Sequence, residues 1–139
     1  LVPLCLDQKL AILPWSPLAF GYLSGKYDRD RRPASSRIDG PLAQFLPADW
    51  ERIYRIVDVL KEIASGHGVT PAAIALAWLL HKPGVTSVIL GVRTMEQLRQ
   101  NLASADVKLS AEEMAQLDAV SATPVPYPQW MIQQYGADR

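Results

Sequence analysis

The sequence predicts an α/β fold: the carboxy-terminal part of a (β/α)8 TIM barrel, with two parallel strands, flanking helices and a carboxy-terminal tail. Three observations lead there. Two short apolar runs, Ala11-Ile12-Leu13-Pro14-Trp15 and Val88-Ile89-Leu90, stop abruptly in small, polar and basic residues, as buried parallel strands do at a binding loop. Helical segments with clear start signals alternate with those runs. Two strands cannot form a stable open sheet with both faces covered, whereas the last two βα units of a barrel give this order. A whole barrel takes about 250 residues, so a chain of 139 residues beginning at Leu1 is expected to be a piece of a longer one.

Each element has a local cause. Residues 1–7 read as the end of a helix and residues 10–15 as a strand. Residues 16–47 carry repeated Pro and Gly punctuation, several charges and little periodicity, and a loop of that length in a compact domain is usually functional. Asp49 can cap a helix over 50–65 whose apolar face is Trp50, Ile53, Tyr54, Val57, Leu60 and Ala64, with Gly66 and Gly68 available to end it. Thr70-Pro71 starts a helix running to His81, stopped by Lys82-Pro83-Gly84, and its run of Ile74, Leu76, Ala77, Trp78, Leu79 and Leu80 predicts burial. Residues 85–90 are β-branched and apolar, a central strand. Thr94 opens a helix ending near Ala103, with Gln97 completing a T-x-x-Q capping box, and Ser110 with Glu113 makes a second box for a helix over 111–120. Residues 121–139 form a tail punctuated by Pro124, Pro126 and Pro128. No internal repeat or low-complexity segment interrupts the chain.

Composition narrows the ligand. Fourteen basic and fourteen acidic residues give a formal net charge of +0, which argues against phosphate neutralisation as a route to nucleic acid, and no basic run marks an anionic membrane. No apolar stretch approaches the roughly 20 residues that span a bilayer. The lone Cys5 cannot form an internal disulfide, so the expected compartment is the cytoplasm. His67 and His81 sit at helix exits, and no Cys, His, Asp and Glu cluster suits a metal, so no metal is expected. A small organic ligand is the reading that remains.

Three motifs carry candidate chemistry. Trp15-Ser16-Pro17-Leu18-Ala19 ends the first strand, where Trp15 either packs at a rim or offers a flat face to a ligand. Gly21-Tyr22-Leu23-Ser24-Gly25-Lys26-Tyr27 fails as a P-loop, because three residues separate its glycines and Tyr27 stands where a hydroxyl residue would bind magnesium. Taken alone, Lys26 then reads as a solvated loop lysine. Arg29, Arg31, Arg32 and Arg37, interleaved with Asp28, Asp30 and Asp39, read as solubilising. Gly91-Val92-Arg93-Thr94 is followed by Gln97, Gln100 and Asn101 on one helical face, beside a helix amino terminus that offers N–H groups to an anion such as an adenosine 2′-phosphate. The bland alternatives are the capping box for Gln97 and a solvent-facing amide for Asn101.

Together these segments resemble the carboxy-terminal half of an aldo-keto reductase, a family of nicotinamide-dependent oxidoreductases on a (β/α)8 barrel. The resemblance covers nearly the whole chain. It implies reduction of aldehydes or ketones by hydride transfer in the intact protein, with NADPH preferred over NADH on the strength of Arg93. It also implies site roles: Trp15 on the nicotinamide; Ser16, Leu18, Gly21 and Lys26 at the phosphates; Arg93 and Gln97 near the phosphoribose; Asn101 near the adenine edge; and Gly91 among the cofactor-binding residues. Residues 16–47 become a cofactor-covering loop and 121–139 a substrate-side tail. The family's catalytic Asp, Tyr, Lys and His come from the amino-terminal half. None of Tyr22, Tyr27, Tyr54, Tyr127 or Tyr135 matches the family's tyrosine motif, so this segment alone is expected to be inactive. Its expected partners are the cofactor, a small carbonyl substrate and the amino-terminal half of the barrel. A cofactor-binding regulatory subunit of the same fold, like a potassium-channel β-subunit, is the alternative, as is an inert truncated product.

Overall fold

Helix α1 (Val2–Asp7) opens the chain with Pro3 in its first turn, the place where a missing N–H costs nothing. Helix α2 (Trp50–His67) starts where the Asp49 carboxylate accepts the Arg52 N–H at 3.1 Å, and it ends at Gly68. Helix α3 (Pro71–Leu80) is capped by the Thr70 hydroxyl, which accepts the Ala73 N–H at 3.2 Å. Helices α4 (Met95–Leu102), α5 (Ala111–Ser121) and α6 (Gln129–Tyr135) complete the set. This computed structural model describes residues 1–30, 49–125 and 127–135. Most of the expected 16–47 loop, with Arg31, Arg32, Arg37 and Asp39, lies outside them. Its described part holds a 3-10 turn over Ala19–Ser24.

The core forms where α2, α3 and α5 meet. Leu60, Ile63 and Ala64 of α2 pack with Ile74, Ala75 and Ala77 of α3, and Val107 and Leu117 close the cluster. Every residue from Ala72 to Ala77 is buried, as a helix without a polar face requires. No single helix among the described residues is long and apolar enough to cross a membrane. Helices α2 and α3 pass only as a pair bent by 93°, and their apolar faces are largely buried in this core.

The two expected strands are reduced to single parallel bridges, Ile12 with Val85 and Trp15 with Ile89. Ile12 donates to the Gly84 carbonyl at 3.0 Å and accepts from Thr86 at 3.0 Å, which is regular parallel pairing. The ladder then breaks at Pro14, which has no N–H to give. Only its carbonyl takes part, accepting from Ile89 at 2.9 Å. Two residues lie between the bridged positions on the first segment and three on the second, so one extra residue is accommodated beside the break, as in a bulge. The pairing is parallel, in keeping with the α/β class, but it amounts to two isolated bridges and not to a two-stranded ladder.

Among the described residues, exposed apolar side chains gather on α1 and the bridged segments, where Leu4, Leu6, Leu10, Leu13 and Ile89 are all exposed. The tail contains α6, with the Pro128 carbonyl accepting the Ile132 N–H at 3.1 Å, although its prolines suggested no helix.

Helix α5 is held at its start by a complete capping box. The Ser110 hydroxyl accepts the Glu113 N–H at 3.2 Å and the Glu113 carboxylate accepts the Ser110 N–H at 2.7 Å. The other Glu113 oxygen meets His67 Nε2 at 2.7 Å, joining α5 to the end of α2. The Ser110 N–H, aided by His67, holds the Glu113 carboxyl below its ordinary range. A carboxylate stabilised in this way contributes above its unfolded pKa, and the contribution is lost as pH falls through the depressed folded value. Glu113→Ala is therefore expected to cost about 1 kcal/mol and a few degrees of Tm at neutral pH. The gap to the unaltered chain should close on acidification below about pH 4. Thermal melts across pH, followed by circular dichroism, check this; a gap that persists unchanged in acid would contradict it.

Candidate functional site

The loop after Trp15 turns through an unusual run of backbone. Ser16, Ala19 and Phe20 have φ of 51°, 46° and 59°, in the left-handed region that side chains disfavour, and Gly21 follows at 96°. Such conformations cost about 1–3 kcal/mol each and persist where surrounding structure enforces them, often at functional sites. Here the enforcement is visible: Ala19 donates to the Ser16 carbonyl at 2.9 Å and Gly21 to the Leu18 carbonyl at 2.8 Å, while Leu18 packs on the core. The Ser24 hydroxyl closes the turn on the Gly21 carbonyl at 2.7 Å.

Two glycines let other groups approach. A Cβ on Gly21 would lie 3.2 Å from Lys26 Nζ, so the ammonium rests against this backbone. Gly25, at φ 79°, would place a Cβ 2.8 Å from Pro71 Cγ, so only glycine fits between the turn and the start of α3. The loop is thereby seated on a helix amino terminus.

The opposite wall is the start of α4. Thr94 Oγ1 accepts the Gln97 N–H at 3.1 Å, as the capping motif requires. The reciprocal bond lands one residue earlier than expected: Gln97 Oε1 accepts the Arg93 N–H at 3.0 Å rather than that of Thr94. Gln97 therefore fixes the backbone of Arg93. Gln100 donates to Glu96 at 2.8 Å on the same helix.

Between these walls lies a cleft of about 670 Å³, within the ~300–1,000 Å³ common for small-molecule sites. All nine residues singled out from the sequence line it: Trp15, Ser16, Leu18, Gly21 and Lys26 on one side, Gly91, Arg93, Gln97 and Asn101 on the other. Its described lining contains two cations, Lys26 and Arg93, and no carboxylate. Among the described residues neither cation is in an ion pair, whereas Arg29, Lys61 and Lys82 all are. An anionic ligand is what such a lining favours.

Individual readings sharpen. Trp15 is 74% exposed, so the described residues do not pack its indole at a rim. Asn101 is only 7% exposed, which rules out a solvent-facing amide. A Cβ on Gly91 would meet nothing within 4 Å, so no steric demand explains that glycine. His81 Nδ1 bonds the Ala77 carbonyl at 2.8 Å, an ordinary helix-end role. No group of three or more His, Cys, Asp or Glu among the described residues could hold a metal ion.

Sequence reasoning missed Ser24, Thr70 and Pro71, which also line the cleft. The Thr70-Pro71 signature marked a helix start, and a helix amino terminus favours an anion, but its place beside Gly25 is tertiary information. Also unforeseen is the aromatic cluster behind the turn. Tyr22, Tyr27 and Tyr54 surround Trp50 with ring centroids 5.4–5.9 Å from it, and Tyr27 is wholly buried with its hydroxyl unpartnered. Neither Tyr27 nor Tyr22 lines the cleft.

Comparison with known proteins bears on this site. Residues 1–122 match the profile of the Aldo/keto reductase family. An uncharacterized oxidoreductase of Mycobacterium tuberculosis is 40% identical over 112 residues, covering 81% of this chain and 34% of the relative. Protein tas of Escherichia coli is 37% identical over 113 residues, covering 81% of this chain and 32% of its own. A probable voltage-gated potassium channel subunit beta of Arabidopsis thaliana is 37% identical over 110 residues, covering 76% and 33% respectively. In structure, the chain is similar to a thermostable aldo-keto reductase solved with the inhibitor epalrestat: TM-score 0.56, 29% identity, 86% of this chain and 33% of that one. The chain spans about a third of the length of these relatives.

Proposed function

This chain belongs to the aldo/keto reductase family, and from that premise we propose that it supplies the cofactor cradle of an NADPH-dependent oxidoreductase acting on aldehydes or ketones. The observation that carries the reading is the single cleft into which all nine residues converge, lined by two cations and no carboxylate. The donor set fits a dinucleotide phosphate. Arg93 would take the 2′-phosphate as a charge-assisted partner, while Gln97 and Asn101 offer amides to the adenosine half. Lys26, resting on Gly21, and the amino terminus of α3 would take the pyrophosphate. Trp15 would orient the nicotinamide by stacking. When bound, the cofactor supplies the hydride.

The fold reading extends the same way. We take the two bridged segments as neighbouring strands of a (β/α)8 barrel, with the exposed side of α1, Leu13 and Ile89 covered by the amino-terminal half. The similarity to the Arabidopsis channel subunit keeps a second reading open, in which cofactor binding serves regulation rather than turnover.

Trp15 provides the test. Titration with NADPH and with NADH is expected to show saturable binding, and Trp15→Ala to weaken both by a similar factor of roughly two- to ten-fold. The reduced nicotinamide's own emission serves as the signal for the variant. An effect on one cofactor alone would contradict the placement of Trp15.

A further inference from the structure

Lysine carries a flexible four-carbon stem, so its ammonium occupies a defined place only if the backbone that bears it is fixed. The segment around Lys26 is fixed residue by residue. Gly25 presses on Pro71. Tyr27 is wholly buried, its ring 5.9 Å from both Tyr22 and Trp50. Asp28 accepts from Lys61 at 2.8 Å, and Arg29 donates to Asp58 at 2.8 Å while its guanidinium covers Tyr54 at 5.3 Å. Asp58 and Lys61 stand one helical turn apart on α2 and neither lines the cleft.

Two ion pairs with partners this exposed add little to the stability of a fold. Their location is more telling. Both grip the segment two and three residues after Lys26, the cation on this side of the described lining, and the intervening Tyr27 ring lies 4.9 Å from the Lys26 ammonium. A ligand phosphate gains most from an ammonium already held in place, because less side-chain freedom is lost on binding.

We infer that Asp58 and Lys61 are positioning residues for Lys26, holding its ammonium at the phosphate end of the cleft through Arg29 and Asp28. The inference rests on the proposed cofactor reading of the cleft, and its test separates the two. ADP-ribose, which carries the pyrophosphate, and 2′-AMP, which reports the Arg93 end, are titrated calorimetrically into the 139-residue chain. Arg29→Ala and Asp58→Ala are expected to weaken ADP-ribose binding about two- to five-fold and to leave 2′-AMP unchanged. Exchanging the charges, Arg29→Asp with Asp58→Arg, should restore much of the loss. In a Lys26→Ala background neither single substitution should have a further effect, since coupled residues are not additive. Equal losses for the two ligands, or the same loss with and without Lys26, would overturn the inference while leaving the cofactor reading intact. If the unaltered chain binds neither ligand, the cofactor reading falls, and this inference with it.

Discussion

Arg93→Ala is expected to weaken NADPH binding roughly ten- to over a hundred-fold while leaving NADH nearly unchanged, the loss of a charge-assisted hydrogen bond worth about 1.5–3 kcal/mol. The two cofactors differ only at the 2′-phosphate, so a residue that contacts that group alone must separate them. Its setting supports such a role. The Arg93 backbone is tied to α4 through Gln97, and no carboxylate among the described residues competes for the guanidinium. Arg93→Lys should recover part of the loss, keeping the charge without the planar fork. Titrating each variant with both cofactors checks this. Equal losses for NADPH and NADH, or none, would return Arg93 to the surface and leave the cap as the role of this helix start.

The second large effect is all or none. The 139-residue chain is expected to bind NADPH yet to reduce no aldehyde above background, because its described cleft lining offers no carboxyl, imidazole or phenol to protonate a carbonyl oxygen. Tyr22, Tyr27 and Tyr54 are buried in the aromatic cluster, and Tyr127 and Tyr135 are exposed and do not line the cleft. Hydride transfer without a proton donor leaves an alkoxide unstabilised in the transition state. An assay with NADPH and 4-nitrobenzaldehyde tests this against a boiled control. Turnover clearly above that control would mean that the chain holds its own acid.

How much of this was legible in the sequence depended on whether the cause was local. The caps at Asp49, Thr70 and Ser110 were readable because each is a short-range exchange between a side chain and the next turn. The buried α3 was readable from composition alone. Pro14 carried a legible warning that its ladder would break, but the apolar run around it dominated the reading. Helix α6 was hidden by three prolines that lie ahead of it rather than within it.

The site divided along the same line. Its nine residues could be named because the motifs that carry them resemble those of the aldo-keto reductases, and the ends of neighbouring parallel strands bring such motifs together. What could not be read was how they are held. The approach of Gly25 to Pro71, the bond from Arg93 to Gln97, and the grip of α2 on Asp28 and Arg29 all depend on where separate elements meet.

The central claim is that this cleft holds the phosphates of NADPH, and a structure of the chain bound to NADP+ tests it most directly. The account predicts the 2′-phosphate within hydrogen-bond distance of the Arg93 guanidinium, the pyrophosphate beside Lys26 and the start of α3, and the nicotinamide against Trp15. A dinucleotide bound outside this cleft, or lying in it with its 2′-phosphate at Lys26 and Arg93 empty, would contradict it.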